Sequence, residues 1–280
     1  MTGSLPAVSR TAVGVAALRA AESRRPDRLF DDPYAAAFAE AGRSALPAEP
    51  AGGLGAMFYP QVVIRTRFYD GHLLGSGCGQ VVLLAAGLDT RAFRLPWPDG
   101  TRLFELDLPE VLAFKDQVLA GRGAEPACAR VVVPADLRED WATALRGAGF
   151  DPAVPTAWLA EGLLMYLTGA EAERLLTTVG ELAAPGSRIA FEHRPGTPPG
   201  SLIARAKVAA GGEHVTSLWR GGLGGRAPEW LATHGWQPST VTRAELAAAY
   251  GRPSDDDATA GGFVTAVRLP PRGGQSSTLR

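Results

Sequence analysis

Cysteine is scarce. The 280-residue chain has two, Cys78 and Cys128, too few for a disulfide framework or a cysteine-rich metal centre. Two reduced, buried thiols are expected instead, because free cysteine packs as a small hydrophobe. Lysine is nearly missing: Lys115 and Lys207 stand alone, so arginine carries almost all the positive charge. Neither sign dominates, with 28 Lys+Arg against 29 Asp+Glu and a net charge of −1. That balance gives no electrostatic basis for a nucleic-acid or anionic-membrane partner. No uninterrupted apolar run reaches the roughly 18 residues of a membrane span. Arg10, Arg19, Glu22, Arg24 and Arg25 break up any secretory pattern near the start, so a cytoplasmic location is expected. No metal-ligand spacing of the H-E-x-x-H or C-x-x-C kind occurs, and no metal is expected. Internal repeats are lacking too.

What remains is ordinary globular composition, 46% hydrophobic and 20% charged, arranged in three parts. Residues 1–78 read as an N-terminal helical cap. TAVGVAALRAA (11–21) is small, apolar and helix-compatible. Asp31 or Asp32 can cap a second helix with Pro33 at its first position and Gly42 at its end. After a turn-rich linker at 44–56, a third helix runs from about Phe58 to Leu74 and carries Arg65 and Arg67. Residues 79–269 change character. VVLLAAG (81–87), RLFELD (102–107), RVVVPAD (130–136), TAWLAEG (156–162) and SRIAFEH (187–193) are short apolar runs ending near an acidic or small residue. Helical stretches at 108–122, 138–147 and 168–183 separate them. This alternation predicts an α/β fold, a doubly wound, mostly parallel seven-stranded sheet. Two late strands, near 238–242 and 262–269, would finish one edge like a hairpin. The Gly/Pro-rich insertion 194–228 follows a strand's carboxyl end, where a lid over the ligand crevice belongs. The tail 270–280 is expected to be disordered.

The most informative segment is VVLLAAGLDTR (81–91) followed by RLFELD. A strand, a glycine-containing turn and an acid 20 positions beyond Gly87, Asp107, form the layout of a nucleoside-binding half-domain. A dinucleotide would need G-x-G-x-x-G to close on a pyrophosphate. Here the three positions are Ala85, Gly87 and Thr90, and Asp89 in the turn would repel a phosphate. An acidic turn suits a cationic ligand without phosphate, and S-adenosylmethionine fits. Asp136, followed by Leu137, could bind and flank an adenine. Glu161 could face an ammonium or sulfonium. Each of these acids could instead cap the helix that follows.

Together AAGLDTRAFRL, FELDLPEVLAFK, PADLREDW and AEGLLMYL, after TAVGVAALRAAE and LFDDPYA, resemble the leucine carboxyl methyltransferase family. The likeness is to its bacterial branch of class I S-adenosylmethionine-dependent O-methyltransferases, and runs over about residues 11–268. The resemblance implies that Arg65 grips the cofactor's methionine carboxylate, with Arg19 as a second candidate for that carboxylate or for the substrate's. It places the backbone of Ala85, Ala86 and Gly87 under the cofactor, beside Asp89. Asp107 and Leu108 would lie at the ribose, Asp136 and Leu137 at the adenine, and Glu161 with Gly162 at the methionine end. The family often has glycine where this chain has Ala85. Arg67, two residues from Arg65, faces elsewhere and is expected in an ion pair.

Methyl transfer from a sulfonium requires alignment and exclusion of water. A carboxylate acceptor needs no base, whereas a hydroxyl needs one. His193, at the end of a strand, is the base candidate, and Tyr166 is a candidate lining residue of the acceptor pocket. Of the other histidines, His214 could reach a substrate, while His72 and His234 read as helix-end or loop residues. Phe58, Tyr59, Trp219 and Trp230 are unranked apolar candidates. The expected acceptor is a small-molecule carboxylate or hydroxyl of specialised, natural-product metabolism, with a homodimer as an open expectation. A nicotinamide oxidoreductase, or a non-catalytic cofactor-binding protein of the same fold, are the alternatives.

Overall fold

The structure is a computed structural model and describes residues 7–43, 54–193, 220–252 and 261–271. Most of the predicted linker, residues 194–219 of the insertion (with His214 and Trp219) and the tail from residue 272 lie outside them.

Period-two alternation of apolar side chains builds the sheet. β1 (Gln80–Leu84), β2 (Arg102–Asp107), β3 (Ala129–Pro134), β4 (Thr156–Ala160), β5 (Arg188–His193), β6 (Trp236–Thr242) and β7 (Gly262–Arg268) form one seven-stranded sheet in the order β3-β2-β1-β4-β5-β7-β6. The first five strands are mutually parallel, and β7 runs antiparallel to both β5 and β6. The two late strands thus pair as expected, although a helix separates them in sequence.

Alternate residues of each strand enter opposite cores, as the pleat requires. Val82, Leu84, Phe104, Trp158 and Phe191 belong to one cluster. Val81, Leu83, Leu103, Leu159 and Ala190 belong to the other. The first is covered by α6 (Trp141–Gly147), α7 (Gly169–Leu182) and α8 (Ala227–Thr233), through Leu145, Leu175, Val179 and Leu231. The second is covered by α3 (Leu54–Leu74), the short α4 (Arg91–Arg94) and α9 (Arg243–Ala249), through Ile64, Tyr69, Ala92 and Ala247. Helices on both faces make the parallel strands β1 and β4 buried along their whole length, the pattern of a doubly wound sheet. Pro238 sits in β6, the edge strand, where a missing N–H is tolerated.

A third, smaller cluster joins α1 (Ala7–Ser23), α2 (Ala35–Ala41) and α5 (Pro109–Ala120) through Val13, Ala16, Phe38, Leu88 and Leu119. The start of α2 departs from expectation. Helix geometry begins at Ala35 rather than Pro33, and Asp32 Oδ1 accepts from the backbone N–H groups of Tyr34 and Ala35. Gly42 closes α2 as expected. Glu22, fully buried in α1, accepts from Tyr59 Oη and Leu29 N and pairs with Arg252, joining α1 to α3 and to the residues just after α9. Cys78 and Cys128 are free. No helix among the described residues is long and apolar enough to cross a membrane.

His72 ends α3 with its ring stacked on Phe68 and Nε2 buried without a partner. Burial, reinforced by the nearby Arg188 charge, pushes its pKa down to about 4. The unfolded chain, with an ordinary imidazole near 6.5, takes up a proton first as pH falls. Stability is therefore lost between pH 6.5 and 4, by about 3 kcal/mol from this group. His72→Phe is expected to remove that loss, seen as a flatter urea midpoint across the window. Equal slopes in variant and wild type would contradict it.

Candidate functional site

The carboxyl ends of β1, β2 and β4 meet at one edge of the sheet, where parallel α/β folds bind ligands. After β1 the chain turns through Ala85 (φ 53°) and Gly87 (φ 49°). Ala85 is the only non-glycine residue with positive φ among the described residues, and a Cβ in that region costs about 1–2 kcal/mol. Hydrogen bonds enforce the turn. Ala86 N donates to Leu106 O at 2.9 Å, and Asp89 N to Ala86 O at 2.9 Å. Gly87 N donates to Asp107 Oδ2 at 2.6 Å, while Leu108 N donates to Asp107 Oδ1 at 2.7 Å. Asp107 is thus anchored by two backbone N–H groups at the end of β2, with lone pairs left to accept hydroxyls. Burial outweighs those donors and holds its pKa above the ordinary carboxylate value.

Beside this turn lies an ion network that sequence reading saw only in part. Arg91, 2% exposed at its side chain, donates Nε to Asp70 at 2.7 Å, and its Nη1 reaches both Asp89 and, at 2.7 Å, Glu161 Oε2. Arg94 donates to both oxygens of Asp70 at 2.7 Å. Arg65 Nε lies 2.8 Å from Glu161 Oε1, off the line of a hydrogen bond, and its Nη1 lies 3.2 Å from Glu192 Oε1. Gly162 N donates to both oxygens of Glu192. Gly162 takes φ +64°, and a Cβ there would sit 3.5 Å from Arg65 Nη1. Four carboxylates (Asp70, Asp89, Glu161, Glu192) thus share three guanidiniums (Arg65, Arg91, Arg94), leaving one negative charge in excess. Burial opposes ionisation of Asp89, but the Arg91 charge prevails and brings its pKa to about 2. Glu161 is likewise held below its ordinary value by Arg91 and Arg65, against its burial. Glu192 shifts the other way, raised by burial and by the Glu161 charge.

The remaining expected site residues divide. Arg19, buried in α1, donates Nε to Asp32 at 2.9 Å and Nη2 to Leu88 O at 2.6 Å, so it fastens α1 to the turn. Asp136 accepts both arms of the exposed Arg138, and Leu137 packs against the adjoining core. His193 and Glu192 line a cavity with Gln61, Arg65, Arg243, Met165, Phe191 and Phe263. Tyr166 is not among the residues lining it, although it lies close enough to Arg65 to affect it electrostatically. His193 Nδ1 is buried without a partner, and burial lowers the pKa despite a backbone contact with Gly224. Arg67 corrects the expectation of an ion pair: its guanidinium stacks over Tyr250, 5.4 Å from the ring centroid. Tyr59 is occupied by Glu22, and Trp230 stacks on His234. The described end of the insertion is pinned to this region: Arg220 and Gly221 N–H groups donate to Met165 O, and Gly222 N to Leu167 O.

Sequence reading missed Asp70, Arg91, Arg94 and Glu192. Arg91 stood inside the quoted LDTRAF run. Its signal was an arginine two residues from Asp89 inside a run of small and apolar residues.

The model of the family described as leucine carboxyl methyltransferase matches residues 12–180. A protein of Parafrankia sp. (strain EAN1pec), named as an S-adenosyl-L-methionine-dependent methyltransferase, is 52% identical over 271 residues, covering 93% of this chain and 87% of that one. A Streptomyces coelicolor protein named in the same way is 46% identical over 275 residues, covering 92% and 94%. Among solved structures, a duf574 family protein from Streptomyces avermitilis has a TM-score of 0.62 at 15% identity, covering 92% of this chain and 97% of that one. A protein from Thermobifida fusca YX titled as a methyltransferase has a TM-score of 0.53 at 19% identity, covering 92% and 94%. At such identities the structural likeness is one of fold.

Removing Arg91 would leave Asp89 and Glu161 short of a buried counter-charge. Arg91→Leu is expected to cost about 3–5 kcal/mol, measured by urea unfolding at pH 7. Asp89 contributes stability that is present above about pH 4 and lost as pH falls towards 2. The cost of the variant should therefore shrink across that acid window, and a pH-independent cost would contradict the assignment.

Proposed function

Since the chain belongs to the leucine carboxyl methyltransferase family and is an S-adenosylmethionine-dependent methyltransferase, we propose that it methylates an oxygen of a small-molecule acceptor in specialised metabolism. The residues at the sheet edge fit such a donor. A carboxylate anchored beside a glycine turn matches ribose hydroxyls, and an ion network with one surplus negative charge matches a ligand carrying a sulfonium. That surplus is the observation that carries the reading, because the same edge would repel a pyrophosphate.

In this reading Asp107 accepts from the ribose and the backbone of Ala85–Gly87 supports the nucleoside. Asp136 and Leu137 meet the adenine, with Asp136 turning from Arg138. Glu161, Gly162 and Arg65 hold the methionine end. Bound S-adenosylmethionine supplies an already activated methyl group, so the chain's own tasks are alignment and exclusion of water. α1, fastened by Arg19 over the turn, serves as the cap, and the insertion 194–228, whose Arg220 and Gly221 N–H groups donate to Met165 O, serves as the lid.

Calorimetric titration of the purified protein with S-adenosylmethionine, S-adenosylhomocysteine and NADH tests this. Both sulfur compounds are expected to bind and NADH is not. Asp107→Ala should weaken the sulfur compounds by about 10- to 100-fold, the worth of charged hydrogen bonds at about 1.4–2.8 kcal/mol. Binding of NADH in their place would overturn the reading.

A further inference from the structure

Helix α3 carries a second polar group on the face that bears Arg65. Tyr69 lies one turn further along, and residues four apart share a helix face. It is 0% exposed, and its Oη is buried without a hydrogen-bond partner. Its ring meets that of Phe263 edge-on, with the centroids 5.4 Å apart. Phe263 stands directly opposite Glu192 in the pairing of β5 with β7, so both side chains leave the sheet on one face. Arg65 thus reaches Glu192 itself, while Tyr69 covers the residue beside it. An unmade hydrogen bond in the interior is unfavourable, and phenylalanine would fill the same space without one. The fold alone gives this hydroxyl no task.

Glu192 is the group with a use for it. Among the described residues its partners are Arg65 Nη1, 3.2 Å from Oε1, and the backbone N–H of Gly162. Arg65 also lies 2.8 Å from Glu161, which holds Arg91 besides. A ligand carboxylate brought to Arg65 would be the third anion on one guanidinium. Glu161 can yield Arg65 and still keep Arg91. Glu192 would be left with a single backbone N–H, too little for a partly buried carboxylate. Burial, reinforced by the Glu192 and Glu161 charges, holds the Tyr69 pKa well above the ordinary phenol value. Its O–H is therefore intact at neutral pH and able to donate.

Resting on the reading that Arg65 holds the methionine end of S-adenosylmethionine, we propose that Tyr69 is a positioning residue for cofactor binding, its O–H bonding Glu192 when the cofactor's carboxylate takes over Arg65. The unsatisfied hydroxyl of the unliganded chain becomes a satisfied one in the complex. Tyr69 acts through Glu192, which stays anchored at the cavity wall and does not compete with the ligand for the guanidinium.

Calorimetry on the full chain with S-adenosylhomocysteine, which keeps the cofactor's carboxylate, tests this. Tyr69→Phe is expected to weaken binding about tenfold, as for a lost hydrogen bond to a charged group. The urea midpoint of the ligand-free variant should stay level or rise, which a hydroxyl serving only the fold would not allow. In a Glu192→Gln background, where the charge that Tyr69 serves is gone, the same change should cost less than about threefold. Unchanged affinity in Tyr69→Phe would overturn the proposal. So would a lowered midpoint, or an equal tenfold loss in both backgrounds. A wild type that does not bind S-adenosylhomocysteine, or an Arg65→Leu variant that binds it undiminished, would instead overturn the reading of Arg65, which separates the two.

Discussion

The buried guanidinium of Arg91 is the constraint around which the ligand edge is organised. An arginine with almost no exposed surface is tolerable only if its charge and its donors are satisfied. Arg91 meets that condition by drawing in Asp70 from α3, Asp89 from the turn after β1 and Glu161 from the end of β4. Three separate stretches of chain are thereby held at one point. The helix α4 that carries Arg91 is a single turn, and Trp97 Nε1 donates to the Arg91 carbonyl at 2.8 Å, fixing its exit as well. Arg65 extends the same arrangement to Glu192, so the network runs from the turn after β1 to the cavity wall.

A second buried pair lies away from this edge. Lys115 of α5 sits 2.8 Å from Glu105 of β2, both completely buried, and Arg130 of β3 reaches the same Glu105 oxygen at 2.8 Å. Glu105 stands among Leu103, Phe104 and Leu106 in the strand that ends in Asp107, and α5 begins two residues after Asp107. The pair therefore locks the strand and helix on either side of the ribose candidate. Because its charges face each other and not a crevice, it is a positioning element rather than a site.

Much of the architecture was legible in the sequence. Short apolar runs alternating with helical stretches led to a seven-stranded α/β sheet, and the five parallel strands lie where those runs are. The Gly87–Asp107 spacing was readable because a twenty-residue step spans one strand–turn–helix unit, and a hydrogen bond now joins the two residues. Less legible was anything depending on long-range pairing. Asp70 and Glu161 are 91 positions apart in the chain and meet only through Arg91. Glu192 looked like a neighbour of His193, yet its partners are Gly162 and Arg65, 30 and 127 positions away. Local rules also misplaced Arg67, since a cation on a helix has either a carboxylate or an aromatic face available and spacing does not choose between them. Asp89 and Glu161 were legible as acids at one edge, but their sharing of three arginines with Asp70 and Glu192 was not.

The order of the strands has a consequence for how the chain comes into being. β7 is the last described strand in sequence, yet it is inserted between β5 and β6, and its Phe263 walls the cavity. During synthesis β5 therefore waits, its outer edge unpaired, until some 70 further residues have been made. The part of the sheet from β1 to β4 can close long before the cavity beside β5 has the wall that Phe263 supplies. A nascent or truncated chain would thus expose the β5 edge as a template for pairing with other chains. β7 acts as the seal that ends that vulnerable interval.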